Sequence, residues 1–203
     1  MNFKTEQEAF WVGDFGQEYM IRNNSEEILN LKLKTWSKIL DAMDSVKSIK
    51  EFGCNIGLNL MAIKKLNPDI QLSGIEINEE AARKASALKI AEIETRTIIE
   101  KLNFELVDMT FTAGVLIHIN PNYLAQVYDN LVSNSRRYIL VSEYFNPVPT
   151  SVIYRGNKDK LFKRDFAGEL IDQYNLKLVD YSFVYSRDRY APGDNFTWFL
   201  LEK

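Results

Sequence analysis

Ser48-Ile-Lys-Glu-Phe-Gly-Cys-Asn-Ile-Gly-Leu-Asn-Leu60, followed by Leu72-Ser-Gly-Ile-Glu-Ile-Asn78, decides the fold of this chain. The pair reads as strand, glycine turn, helix and second strand ending in an acid. Gly53 and Gly57 let backbone approach a ligand closely where a helix opens, and Glu76 lies 76 − 53 = 23 residues beyond the first glycine. That is about where a βαβ unit presents a carboxylate to ribose hydroxyls. A nucleoside-containing cofactor is the first expectation.

A dinucleotide fingerprint G-x-G-x-x-G starting at Gly53 needs glycine at positions 55 and 58, where this chain has Asn55 and Leu58. NAD and FAD are disfavoured. The pattern present is E-x-G-x-N-x-G, with Glu51 at the end of the first strand. It resembles motif I of class I S-adenosylmethionine-dependent methyltransferases, whose cofactor has no pyrophosphate to seat but carries an amino acid, a ribose diol and adenine. Asn55 replaces the usual second glycine, and asparagine tolerates the left-handed backbone such a turn requires.

The chain has 203 residues, 46% of them hydrophobic, enough for one globular domain with helices on both faces of a sheet. A net charge of −3 gives no global basic field, which disfavours a nucleic-acid partner. One cysteine, Cys54, and one histidine, His118, cannot build a disulfide framework or an all-His/Cys zinc site, so no metal is expected. The first twenty residues are interrupted by Lys4, Glu6, Glu8, Asp14 and Glu18, and no apolar run reaches spanning length. A cytoplasmic location and no membrane partner are expected. Asn23-Asn-Ser25 and Asn195-Phe-Thr197 match a glycosylation pattern that has no use without export.

Strand and helix patterns alternate beyond the first unit. Ala91 to Ile99 reads as a third strand, Phe104 to Gly114 as a link into a fourth, and Arg137 to Glu143 as a buried fifth. Pro121 opens a helix with Leu124, Val127, Tyr128 and Leu131 on one face. Residues 146–162, with Pro147, Pro149 and Gly156, read as an irregular insertion, too long for an ordinary connection and placed to contact substrate. Asp165 is set to cap a helix through Tyr174, and strand-like runs cover Leu176–Tyr185 and Asn195–Leu201. The alternation predicts an α/β, Rossmann-like, doubly wound and mostly parallel sheet with its site at the carboxyl ends of the strands. The methyltransferase resemblance implies seven strands with an antiparallel last one, and residues 1–45 as a helical lid.

Longer strings sharpen the resemblance: Phe10-Trp-Val-Gly-Asp-Phe-Gly-Gln-Glu-Tyr-Met-Ile-Arg-Asn23, Gly114-Val-Leu-Ile-His-Ile-Asn-Pro121, Glu143-Tyr-Phe-Asn-Pro-Val-Pro149, Tyr154-Arg-Gly156, Leu161 to Leu170 and Phe196 to Lys203. Together they are similar to the pseudaminic acid biosynthesis-associated methylases, over nearly the whole chain and including Asn55. The resemblance implies S-adenosylmethionine as cofactor. It also implies an acidic nonulosonic sugar, free or nucleotide-activated, as partner, in glycosylation of flagellin or other bacterial surface glycans.

Methyl transfer mainly requires alignment and, where needed, removal of a proton. Expected cofactor-binding residues are Tyr19, Arg22, Glu51, Gly53, Asn55, Gly57, Glu76, Thr112 and Gly114, with Tyr19 and Arg22 closing from a helix over the methionine carboxylate. The bland alternative makes Tyr19 a packed aromatic and Arg22 a surface charge; Trp11 is expected to pack. His118, with the one side-chain pKa suited to general base work near neutrality, and Tyr154 are the catalytic candidates; His118 could instead fix its loop by backbone hydrogen bonds. Tyr144, Asn146, Arg155, Lys163 and Arg164 are the substrate candidates, Arg155 able to grip a carboxylate with two parallel bonds. Cys54 is expected to be a small packed residue. The alternatives are a non-catalytic cofactor-binding partner of glycan-synthesis enzymes, and a methyltransferase of small molecules unrelated to sugars. The oligomeric state is open.

Overall fold

The computed structural model describes residues 3–23 and 25–203. Asn24 of the first glycosylation pattern lies outside them. Among the described residues, nine strands form a seven-stranded mixed sheet and a separate two-stranded hairpin. The chain divides into two compact units, 1–98 and 99–203.

The first unit begins with three helices, α1 (Glu6–Val12), α2 (Asp14–Arg22) and α3 (Glu26–Asp41). Thr5 and Ser25 cap α1 and α3 by accepting from the backbone N–H of Glu8 and Ile28, satisfying donors that a helix start leaves orphaned. The expected N-terminal segment is helical, but α3 is core structure: Trp36 and Ile39 are fully buried and the helix packs against α4 (Leu58–Leu66). Strands β1 (Ser48–Phe52), β2 (Gln71–Glu76) and β3 (Glu92–Thr95) pair in parallel in the order β3-β2-β1. Helix α5 (Glu79–Ala87) follows β2 and is capped by Asn78. The third strand is shorter than the predicted 91–99. Its burial pattern is that of an exposed edge, and Ile98 and Ile99 are buried outside it.

The second unit contains β4 (Val107–Ala113), a 3-10 turn (Leu116–His118), a second one (Pro121–Tyr123), α6 (Leu124–Ser133) and β5 (Ser135–Glu143). Leu124, Val127, Tyr128 and Leu131 are all buried, as their spacing required. Before β4 the chain is not a strand. Its backbone is satisfied by two buried asparagines of α6 and its cap: Leu102 N–H donates to Asn130 Oδ1 at 2.9 Å and Phe104 N–H to Asn134 Oδ1 at 2.8 Å. Beyond β5 come β6 (Thr150–Tyr154), β7 (Asn157–Lys163), α7 (Phe166–Tyr174), β8 (Lys177–Val184) and β9 (Phe196–Glu202). Asp165 caps α7 through Gly168 N–H at 2.8 Å. β4 and β5 are parallel, and β9 runs antiparallel to both β5 and β8. The full strand order is β3-β2-β1-β4-β5-β9-β8.

The expected irregular insertion is instead an antiparallel hairpin, β6 with β7, with one register shift between Val152 and Tyr154. Its tip, Tyr154-Arg155-Gly156-Asn157, has φ +49° at Arg155 and +83° at Gly156, the two left-handed positions of a two-residue turn that fits the strand twist. The prolines stop at residue 149, before the first strand begins, so they do not interrupt the ladder.

Candidate functional site

In the first unit, the turn after β1 takes three left-handed residues, Gly53 (φ +79°), Asn55 (+48°) and Gly57 (+82°). Gly53 and Cys54 both donate backbone N–H to Ile75 O, at 2.8 and 2.9 Å, folding the turn over the end of β2. A Cβ on Gly57 would come within 3.1 Å of Leu88 and 3.3 Å of Ala85, so this glycine also lets the turn pack against the end of α5. Gly74 serves Cys54: a Cβ there would lie 2.8 Å from the buried Sγ. Cys54 is packed as expected, and burial pushes its thiol up, away from nucleophilic use.

Glu76 holds the turn. Its Oε2 accepts from Asn55 N–H at 2.7 Å and its Oε1 from Asn78 N–H at 2.9 Å. Burial raises its pKa, against the lowering effect of those backbone donors. Ile77 N–H also acts on this carboxylate, whose roughly four acceptor sites still leave room for a ligand donor.

Glu51 is almost fully buried, and its Oε1 accepts from Asn59 Nδ2 at 2.6 Å. Asn59 Oδ1 in turn accepts from Lys32 Nζ at 2.8 Å and Trp36 Nε1 at 3.2 Å. Burial pushes the Glu51 carboxyl up to about 8, with Glu76 adding repulsion and Asn59 and Lys32 opposing. Sequence reasoning missed Asn59, Lys32 and Trp36. The available signal was a lone amide within the apolar run Leu58-Asn-Leu60. Glu51 Oε2 and Asn55 Oδ1 are buried and accept no hydrogen bond. Two buried acceptors without donors are costly in a finished site and suit a ligand that brings N–H or O–H groups.

Tyr19 and Arg22 lie on α2. Tyr19 packs edge-on to Trp11, with ring centres 5.1 Å apart, and Trp11 also meets Phe10 and Phe15. Arg22 pairs with Glu18 at 3.1 Å and lies over the Phe15 ring. Asn78 Nδ2 donates to Trp11 O at 3.1 Å, fixing the aromatic helix pair to the loop after β2.

In the second unit, Gly114 has φ +69° and open space where a Cβ would stand. Thr112 is fully buried, and among the described residues its hydroxyl has no hydrogen-bond partner. Glu143, which sequence reasoning gave no role, is buried at the end of β5 and accepts from Val115, Leu116 and Ile117 N–H at 3.1, 3.1 and 3.4 Å. It fastens the turn after β4, and burial pushes it up to about 7.

His118 is buried, with Nδ1 2.6 Å from Lys160 O. A carbonyl can only accept, so Nδ1 carries the proton and Nε2 the lone pair. Burial lowers its pKa to about 4. Its ring lies 5.1 Å from Tyr154, so the end of strand β6 and the first 3-10 turn bring the two catalytic candidates together. Lys163 Nζ stands 5.1 Å over the Tyr144 ring, and burial raises the Tyr144 hydroxyl to about 12. Arg155 and Asp194 both act electrostatically on that hydroxyl.

Two substrate candidates are occupied by structure. Asn146 Nδ2 donates to Val148 O at 2.6 Å and Thr150 Oγ1 at 2.8 Å, closing the turn into β6. Arg164 Nε bonds Glu169 Oε1 at 2.7 Å, while Tyr128 donates to Glu169 Oε2 at 2.7 Å. Arg155 is exposed at the hairpin tip. Among the described residues, no cluster of three His, Cys, Asp or Glu could hold a metal, and no helix is long and apolar enough to cross a membrane.

No family model matches the chain, and no curated protein matches it. Solved structures do. Magnesium protoporphyrin IX methyltransferase from Synechocystis PCC 6803, with bound SAH, superposes with a TM-score of 0.70 at 9% identity, covering 98% of this chain and 100% of that one. The fold is the class I methyltransferase fold. The O-methyltransferase of a trans-AT PKS multienzyme of Brevibacillus brevis, in complex with S-adenosyl-L-homocysteine, gives 0.64 at 16% identity over 98% of this chain and 80% of that one. The plantazolicin methyltransferase BpumL, in complex with SAH, gives 0.65 at 16% over 97% and 93%. At these identities the likeness establishes architecture alone.

Proposed function

We propose that this chain is an S-adenosylmethionine-dependent methyltransferase. The observation that carries the reading is the pair of buried acceptors, Glu51 Oε2 and Asn55 Oδ1, beside the turn that Glu76 fastens. The cofactor's ribose diol and ammonium are donors, and the residues present fit them: Glu76 has lone pairs for the diol, and the left-handed turn offers close backbone approach. When bound, the cofactor supplies an electrophilic methyl carbon on a sulfonium that departs as a neutral thioether. Burial raises the Glu51 carboxyl, and a cation bound beside it would favour the ionised, accepting form. Tyr19 on α2, packed against Trp11 of α1, is placed to cover the cofactor, while Arg22 is the candidate for the methionine carboxylate if it leaves Glu18.

The acceptor we propose is an acidic sugar of the nonulosonic class, or its precursor. The support is the strings that resemble the pseudaminic acid-associated methylases, and Arg155 and Lys163 on the hairpin that carries Tyr154. His118 stays neutral through burial, so its role is to position and to accept a proton transiently at Nε2, with Tyr154 against its ring.

Calorimetric titration with S-adenosylmethionine, S-adenosylhomocysteine and NAD tests the cofactor; binding of NAD alone would overturn the reading. Methyl-transfer assays with nonulosonic acids against neutral acceptors then test the substrate class. Cofactor binding with no turnover on either set would favour a non-catalytic partner.

A further inference from the structure

β8 is the last strand of the sheet, with β9 as its neighbour on one side. Leu178, Tyr181 and Phe183 register against Leu201, Phe199 and Thr197 and therefore share one face, while Asp180, Ser182 and Val184 register against Leu200, Trp198 and Phe196 on the other. The first set is apolar and uncovered: Leu178 is 47% exposed, Tyr181 60% and Phe183 55%, with Tyr185 at 47% just beyond the strand. Phe199 joins this face to Phe145, itself 43% exposed, through ring contacts of 5.9 Å on both sides. Helix α7 packs against β5 and β9, placing Phe166 and Ala167 beside Val141, Thr197 and Phe199. Its cover ends there.

An edge strand with a bare aromatic face is one that proteins normally blunt with charge, proline or a bulge that breaks pairing. Here the bulge falls between Leu178 and Asp180, and the stretch from Asp180 to Val184 stays regular and free of proline. The uncovered side chains amount to on the order of 500 Å², from the size of aromatic side chains and their exposure. That is at the upper end of what a monomer leaves bare.

We infer that the outer edge of β8 is the interface of a homodimer, in which it pairs antiparallel with β8 of a second copy and the exposed aromatics of the two strands pack side by side. The regular stretch Asp180 to Val184 is self-complementary about Ser182. A two-fold there sets Tyr181 beside Phe183 on the apolar face, and Asp180 meets Val184 rather than a like charge. The apolar face carries no charged side chain from Leu178 to Tyr185, and a net charge of only −3 opposes association weakly.

Sedimentation equilibrium of the whole chain, at concentrations above the micromolar range of weak interfaces of this size, tests the proposal. The expected mass is twice 23.6 kDa for the wild type and 23.6 kDa for a Tyr181→Lys, Phe183→Lys double variant with an unchanged circular-dichroism spectrum. Ile153→Lys, at an equally exposed apolar residue on the hairpin, should leave the dimer intact. A wild-type monomer overturns the inference, as does a dimer that survives the double variant or dissolves with Ile153→Lys. Binding of a different protein to a monomeric wild type would likewise assign the face to another partner and overturn it.

Discussion

The backbone N–H of Asn55 donates to Glu76 Oε2 at 2.7 Å, fastening the left-handed corner of the turn after β1 to the end of β2. One carboxylate thus shapes the turn and offers lone pairs to a ligand. Glu76→Ala should weaken S-adenosylmethionine binding by at least tenfold, given ~1.5–3 kcal/mol for a hydrogen bond to a charged group. Calorimetry checks the affinity, and thermal unfolding should show a simultaneous loss of stability from the unsatisfied N–H groups of Asn55 and Asn78. Unchanged affinity would remove Glu76 from the site.

Asn59 joins Glu51 to Lys32 and Trp36. Asn59→Leu leaves those partners without their shared amide, and is expected to cost about 1–3 kcal/mol. Urea unfolding measures it, and a neutral result would mean that water replaces the amide.

Burial pushes Glu51 up to about 8 and Glu143 to about 7, and holds His118 down at about 4. Each carboxyl keeps in the fold a proton that the unfolded chain loses near 4.5, so its contribution is complete below 4.5 and disappears as pH rises through 7 and 8. His118 acts oppositely: its contribution is present above the ordinary value of 6.5 and is lost as pH falls towards 4. Two carboxyls outweigh one imidazole. The melting temperature of the ligand-free protein should decline from about pH 5 to about pH 8. Glu143→Gln should flatten that decline and His118→Asn steepen its acid half, whereas a wild-type rise over this range would contradict the carboxyl shifts.

Gly74→Ala drives a Cβ to within 2.8 Å of Cys54 Sγ, 3.0 Å of its Cβ and 3.1 Å of Ile93 Cδ1. Overpacking of this kind costs ~1–3 kcal/mol. Cys54→Ala in the same chain should recover part of the loss, and a double-mutant cycle with no coupling would refute the contact.

Arg155 occupies a left-handed position that asparagine and glycine adopt readily and β-branched residues do not. Arg155→Asn should therefore keep stability within about 0.5 kcal/mol, while Arg155→Val loses more. If Arg155 grips an acidic acceptor, Arg155→Asn raises KM for that acceptor and leaves cofactor affinity unchanged. An unchanged KM sets the role aside.

Much of this was legible in the sequence because it depends on local backbone chemistry. Gly53, Asn55 and Gly57 are residues that tolerate positive φ, and all three adopt it; the apolar spacing of α6 predicted its buried face. The hairpin at 150–163 was read as irregular because Arg155, rather than asparagine or aspartate, fills a turn position usually signalled by those residues. Asn146 and Arg164 looked free for substrate, since their partners are a short backbone turn and a helix carboxylate that charge patterns do not reveal.

By itself, the sequence determined the βαβ start, the left-handed turn, the acid at each strand end and the alternation that makes a doubly wound sheet, because each follows from residue-level geometry and periodicity. Only the tertiary structure decided that Glu51 is buried against Asn59 with one oxygen unsatisfied, that Glu143 fastens the turn before His118, and that β8 ends the sheet with an aromatic face uncovered. Burial and hydrogen-bond partnership depend on which distant residues meet, and a pattern of types along a chain does not contain that information.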